Sequence, residues 1–229
     1  DIHDRTKNEI EYISKEQNGT SSKFEDTAHW EKNIITKTGY FYGVLKESLL
    51  KIAKENKIKI AINLFKGQFI LDGTIGLLTN KPLSKKQEKE IMDALLFSHE
   101  ELRGENYIYG FRQISEIGIK AMSPGINDPG TALNTIDYLT SLFIILMKKP
   151  EWEHLSDVDE KNWARIKNVK FSEVLYNVLA TYRLYCKHDI TVMRKLMYML
   201  RTLESHVINS NQMADIRIEM EQLQLDAKS

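Results

Sequence analysis

The chain has 229 residues, 42% of them apolar, enough for one large domain or two small ones to build a core without disulfides or metal. Lys+Arg and Asp+Glu each total 32, so the near-neutral field argues against nucleic acid as the main partner. The single cysteine, Cys186, cannot close an internal disulfide, which suits a reducing compartment rather than secretion.

The chain opens at Asp1 with no signal pattern, as a cut or processed product would. Residues 1–28 read as a connector: Ile10 and Ile13 lie among charges, and Asn18 to Ser22 is a polar break. From Trp30 to Leu45, β-branched and aromatic residues interrupted by Gly39 and Gly43 predict strand with a bend. A helix over 46–57 and a strand over 58–64 follow from spacing and alternation. Lys66 to Leu78 sets glycines between two short apolar runs and reads as a tight hairpin.

After Pro82 the chain reads as mainly helical. Ser84 can cap a helix running through Ile91 to Leu96. Tyr107 to Met122 carries an apolar stripe, with Arg112, Glu116 and Lys120 at i, i+4, i+8 on another. Pro129 to Lys149 is apolar nearly all round in its second half and predicts a central helix, too short in its apolar stretch to span a bilayer. A polar connector with Trp152 and Trp163 precedes three more helices, over 171–186, 190–208 and 213–225.

The distinctive stretch is Ser123-Pro124-Gly125-Ile126-Asn127-Asp128-Pro129. Asp128 before Pro129 is an N-cap followed by proline at the first helical position, where a missing N–H costs nothing. Ser123 and Asp128 precede prolines and avoid the α region, and Gly125 can take a positive φ, so few backbone paths are open and the loop should be stiff. A carboxylate already in the cap repels an anion, so a polar neutral or cationic ligand suits this helix end better than phosphate. Cys186-Lys187-His188 and His99-Glu100-Glu101 lack partners at helical spacing and read as a buried thiol and a solvated face. No Walker loop, Rossmann glycine pattern or zinc spacing is present, and no cofactor or metal is expected.

The run from Arg112 through Ser115-Glu116, Lys120-Ala121-Met122 and the Ser123–Pro129 loop to Gly130-Thr131-Ala132, with Asp137 one to two turns on, resembles the signature of a family of predicted bacterial membrane proteins, domain of unknown function 2254. Gly39-Tyr40 and the 66–78 segment are similar to that family's upstream sheet region. The resemblance implies membrane helices before Asp1 and a C-terminal soluble portion at the bacterial cell membrane, on the cytoplasmic side. The glycines from Gly67 to Gly76 also resemble the turns of biotinyl/lipoyl-like sheets, without the Met-Lys-Met tip that a carrier needs.

The expected fold is α+β: a small β-rich, barrel-sandwich-like module over 29–82, then a helical bundle over 83–229 carrying the loop. The expected function is non-enzymatic: the domain binds a small ligand or self-associates and conveys a conformational signal to upstream membrane helices. Arg112, Glu116, Ser123, Asn127 and Asp128 are the candidate ligand contacts, with Asp137 as a helix-to-helix partner of the loop. The competing readings are a hydrolase using Asp128 or Glu116 as general base, and a purely structural assembly domain in which Met193, Leu196, Met197, Met199 and Leu200 form an interface or a core.

Overall fold

The computed structural model describes residues 1–15, 24–101, 106–157, 159 and 161–227, without the side chains of 12–15. The polar break at 18–22 lies outside the described residues. The fold is α+β, in two compact units: a helical unit of Asp1–Ile13, Tyr107–Lys149 and Lys170–Ser229, and a sheet unit of Ser14–Asn106 and Pro150–Val169. Residues expected to belong to a connector form helix α1 (Ile2–Lys15), with Ile10 fully buried.

In the sheet unit the chain runs β1 (Glu31–Ile34), β2 (Gly39–Val44), α2 (Lys46–Asn56), β3 (Ile60–Ile62), β4 (Gln68–Ile70), β5 (Ile75–Thr79), α3 (Lys85–Ala94) and β6 (Leu95–Ser98), and returns as β7 (Trp152–Ser156) and β8 (Asn162–Lys167). Five strands form one sheet in the order β1-β5-β3-β8-β7, antiparallel except for β3 and β8, and three form a second in the order β4-β2-β6. One core takes side chains from both sheets, with Phe41, Ile70 and Leu95 from the small one and Ile60, Ile62, Leu77 and Ala164 from the large one.

Three expectations are corrected here. Residues 66–78 are not a hairpin: β4 pairs with β2 and β5 pairs with β1 and β3, so the strands part into different sheets at the turn. Ile35 holds that turn, its N–H donating to the Thr74 carbonyl and its carbonyl accepting from Gly73 N–H, where φ is +87°. Helix α3, which Ser84 and Gln87 open with a capping box, stops at Ala94 rather than running through Leu96. The Lys37 ammonium donates to the Met92 and Leu95 carbonyls (2.5 and 3.1 Å) and Leu45 N–H to that of Ala94, so the last turn is satisfied from outside and the chain can turn into β6. The connector with Trp152 and Trp163 is the β7–β8 hairpin, whose turn is built on the Asp157 carboxylate accepting from Lys161 N–H and Trp163 Nε1.

The helical unit consists of α1, α4 (Tyr107–Ala121), α5 (Pro129–Leu146), α6 (Phe171–Cys186), α7 (Ile190–Glu204) and α8 (Ser210–Asp226). Helix α5 is central, packed on α4 and α7, with Ala132, Ile136, Leu139, Leu142 and Phe143 wholly buried. Phe111, Phe143 and Phe171 stack in series at centroid distances of 4.7 and 5.8 Å. Met193, Leu196, Met199 and Leu200 fill this core from α7. Asp128, Asp189 and Asn209 cap α5, α7 and α8 with side-chain oxygens.

Candidate functional site

The Ser123–Pro129 loop closes the end of α4 with backbone bonds. The Ser123 carbonyl accepts from Ile126 and Asn127 N–H, and the Ala121 carbonyl from Asp128 N–H at 2.7 Å. The left-handed residue is Asn127 (φ +47°), not Gly125, around which a Cβ would meet nothing within 4 Å. Asparagine tolerates that conformation because its short polar side chain interacts with nearby backbone. The turn of the loop is thus made at Asn127, and its positions 124–130 are exposed.

Asp128 caps α5 as its sequence predicts. Oδ1 accepts from Thr131 N–H at 3.1 Å and Oδ2 from the Thr131 hydroxyl, and these bonds hold the carboxyl below its ordinary range. A carboxylate so engaged is a weak general base, since its basicity is reduced by the bonds that position it.

The other predicted residues separate. Arg112 and Glu116 form an exposed i, i+4 pair (3.8 Å) on α4, with the guanidinium 4.7 Å from the Tyr109 ring centre. Asp137 is a helix-to-helix partner of Lys195 on α7, at 2.6 Å, rather than of the loop. Ser123 contributes its backbone to the loop closure. Cys186 is buried, and burial together with Asp189 pushes its thiol up to about 11, which leaves it unreactive at neutral pH.

What the fold assembles next to the loop is a groove of about 230 Å³ that sequence reasoning missed. Ile114 and Ile117 of α4 and Thr131, Asn134, Thr135 and Tyr138 of α5 line it, and the first turn of α1 closes it with Ile2 and His3. His3 lies against the Tyr138 ring (5.2 Å) and its Nε2 is 2.7 Å from Ser141 Oγ. The Ser141 hydroxyl already donates to the Tyr138 carbonyl, which leaves Nε2 as the donor of that bond. Thr131 belongs to both features, holding Asp128 on one side and facing the groove on the other. The one sequence signal was its position three residues after the cap, where a hydroxyl can bond the capping carboxylate.

Behind the groove, Thr135 donates to the Ala132 carbonyl (2.7 Å) and meets Tyr182 Oη of α6 at 2.8 Å. The threonine has one proton, so the tyrosine donates; burial pushes its hydroxyl up to about 12 and keeps that proton in place. The groove therefore has a fixed floor, an apolar wall of two isoleucines and a polar rim of Thr131 and Asn134.

Among the described residues no three His, Cys, Asp or Glu side chains converge as a metal site would need, and no helix is long and apolar enough to cross a membrane. An α+β protein with a two-sheet unit, a helical unit and a capped loop beside a small groove is the class these observations define. The chain belongs to the family described as "Predicted membrane protein (DUF2254)", whose profile matches residues 1–202. Neither the curated proteins nor the solved structures contain a match.

Proposed function

We propose that the helical unit is the ligand-sensing part of a membrane protein and that its ligand occupies the groove between α1, α4 and α5. The observation that carries this reading is that one small concavity joins the loop, through Thr131, to the first turn of α1, through Ile2 and His3. Membership of a predicted membrane protein family supports coupling to a membrane, and α1, the first helix of this unit, is the element through which a signal to upstream membrane helices would pass. A ligand bridging His3, Asn134 and Tyr138 would fix α1 against α4 and α5, and so bias whatever precedes it.

The lining selects the ligand's chemistry. Ile114, Ile117 and Tyr138 offer an apolar bed, Thr131 and Asn134 offer hydrogen bonds, and the Asp1 and Asp128 carboxylates disfavour an anion. A small ligand with an apolar body and a neutral polar or cationic head fits. Asn127 and Ser123 act by shaping the loop that sets the position of Thr131, and Arg112 and Glu116 lie on the outer face of α4.

The test is a thermal-shift screen of small polar and cationic compounds against the wild type and Asn134→Trp, which plugs the groove from an exposed position. At least one compound should raise the wild-type Tm, leave the variant unmoved and slow amide exchange in α1. If every hit shifts both proteins equally, the groove is not the site; if saturating ligand protects the loop but not α1, the signalling half of the proposal is wrong.

A further inference from the structure

The sheet unit carries a second concavity, and we infer that it is a strand-addition site for an extended acidic peptide. The groove runs between β1 and α3 and has a volume of about 610 Å³. Strand β1 is the terminal strand of the five-stranded sheet, paired only with β5 among the described residues, so its other edge has backbone donors and acceptors to offer. Lys32, Asn33 and Ile34 line the groove in succession, as do Thr36 and Lys37 beyond them. Consecutive strand residues point to opposite faces, so a strand contributes neighbours to one concavity when it presents its edge.

The opposite wall is a single helix stripe. Lys85, Glu88, Lys89, Met92 and Asp93 of α3 stand at i, i+3, i+4, i+7 and i+8. An edge strand facing a helix across an open channel is the arrangement by which extended peptides add a strand to a sheet, with main-chain bonds for affinity and pockets under alternate side chains for selectivity. Met92, Leu77 and Ile34 supply the apolar floor for such a side chain.

Charge selects the occupant. Four lysines, Lys32, Lys37, Lys85 and Lys89, face two acids, Glu88 and Asp93. Lys37 spends its ammonium on the α3 carbonyls, whereas Lys32, Lys85 and Lys89 make no ion pair among the described residues. A peptide with carboxylates alternating with β-branched residues satisfies both walls. This site lies wholly within the sheet unit and does not rest on the groove between α1, α4 and α5.

The experiment uses the full chain and two labelled hexapeptides, acetyl-Glu-Val-Glu-Val-Glu-Val-amide and its lysine counterpart, with fluorescence anisotropy. The acidic peptide should bind, the basic one should not, and Lys89→Glu should weaken binding roughly fivefold or more. Methylating alternate peptide nitrogens, in the two possible phases, should abolish binding in one phase and spare it in the other, because one edge of a strand donates to β1. Equal binding of both peptides, no binding of either, or indifference to N-methylation in both phases overturns the proposal. So does a dimer of the free chain that Lys89→Glu dissociates, which would assign the groove to a second copy.

Discussion

Tyr182 Oη occupies the place where a side chain at position 118 would begin: a Cβ built on Gly118 meets it at 2.1 Å and meets Thr135 Oγ1 at 2.3 Å. Glycine at this turn of α4 is what lets α6 deliver a tyrosine hydroxyl to α5 through the space beside α4. Gly118→Ala should gain helix propensity of up to ~1 kcal/mol yet lose more to overpacking, typically about 1–3 kcal/mol. In a Tyr182→Phe background, where the nearest clashing atom is gone, the same substitution should cost less. Urea unfolding of the four proteins of this cycle checks the coupling; strict additivity would mean that the hydroxyl is not what excludes a side chain.

A second glycine seats α1. A Cβ on Gly110 would lie 2.0 Å from Thr6 Oγ1, and Thr6 itself is buried with its hydroxyl donating to the Ile2 carbonyl. Gly110→Ala should therefore displace α1 while α5 to α8 keep their packing. Hydrogen exchange should show protection lost over residues 2–10 and retained over 132–146, and Thr6→Ala should restore part of it in the double variant.

Arg183 of α6 forms the buried charge site of this unit. Its Nη1 pairs with Glu219 of α8, and its Nε lies 3.0 Å from Asp226 Oδ2. Arg183→Ala leaves the Glu219 carboxylate buried without its cation and should destabilise by about 3–5 kcal/mol. Replacing both partners with leucine should recover most of that loss, since apolar pairs of similar volume carry no desolvation penalty. Chemical denaturation of the single and double variants measures both effects.

His154 on β7 gives the sheet unit a pH dependence. Burial, with the Arg165 guanidinium opposite it on β8, holds its imidazole below the ordinary value of 6.5, and its Nδ1 has no hydrogen-bond partner among the described residues. The folded state resists the proton that the unfolded chain accepts, so stability is unaffected well above pH 6.5 and falls as the pH drops below it. His154→Gln should flatten the difference in unfolding free energy between pH 7.5 and 5.5 relative to the wild type. An equal fall in both proteins would place the acid sensitivity elsewhere.

Helices marked by apolar spacing, or in α5 by the cap at Asp128, were legible in the sequence: α2, α4, α5 and α6 lie close to where those signals set them. The strands that were missed were hidden for separate reasons. In β8, Trp163, Ala164 and Ile166 are all buried, because a central strand is covered on both faces and loses the period-two signal that marks a half-exposed one. In β6 the helical pattern of α3 runs on into Leu95 and Leu96, and the groups that satisfy the carbonyls where the helix stops, the Lys37 amine and Leu45 N–H, lie far away in the chain.

The candidate site was legible in half. Asp128 as a cap followed from local chemistry, and local chemistry acts within a few residues. The groove did not, because Ile117, Asn134 and His3 are ordinary residues that become a site only when three helices bring them together. Asp137 shows the same limit: its charge was visible, but its partner, Lys195, lies on α7.

By itself the sequence determined the α+β class, the family, the capped loop and most helices, since these are set by periodicity, by caps and by short motifs whose physics is contained in neighbouring residues. Tertiary structure alone decided that residues 66–78 divide between two sheets, that residues 152–167 return to the sheet unit, and which faces of α1, α4 and α5 enclose the groove. Strand partners and helix faces are chosen by shared burial over long separations, and that choice has no local signature.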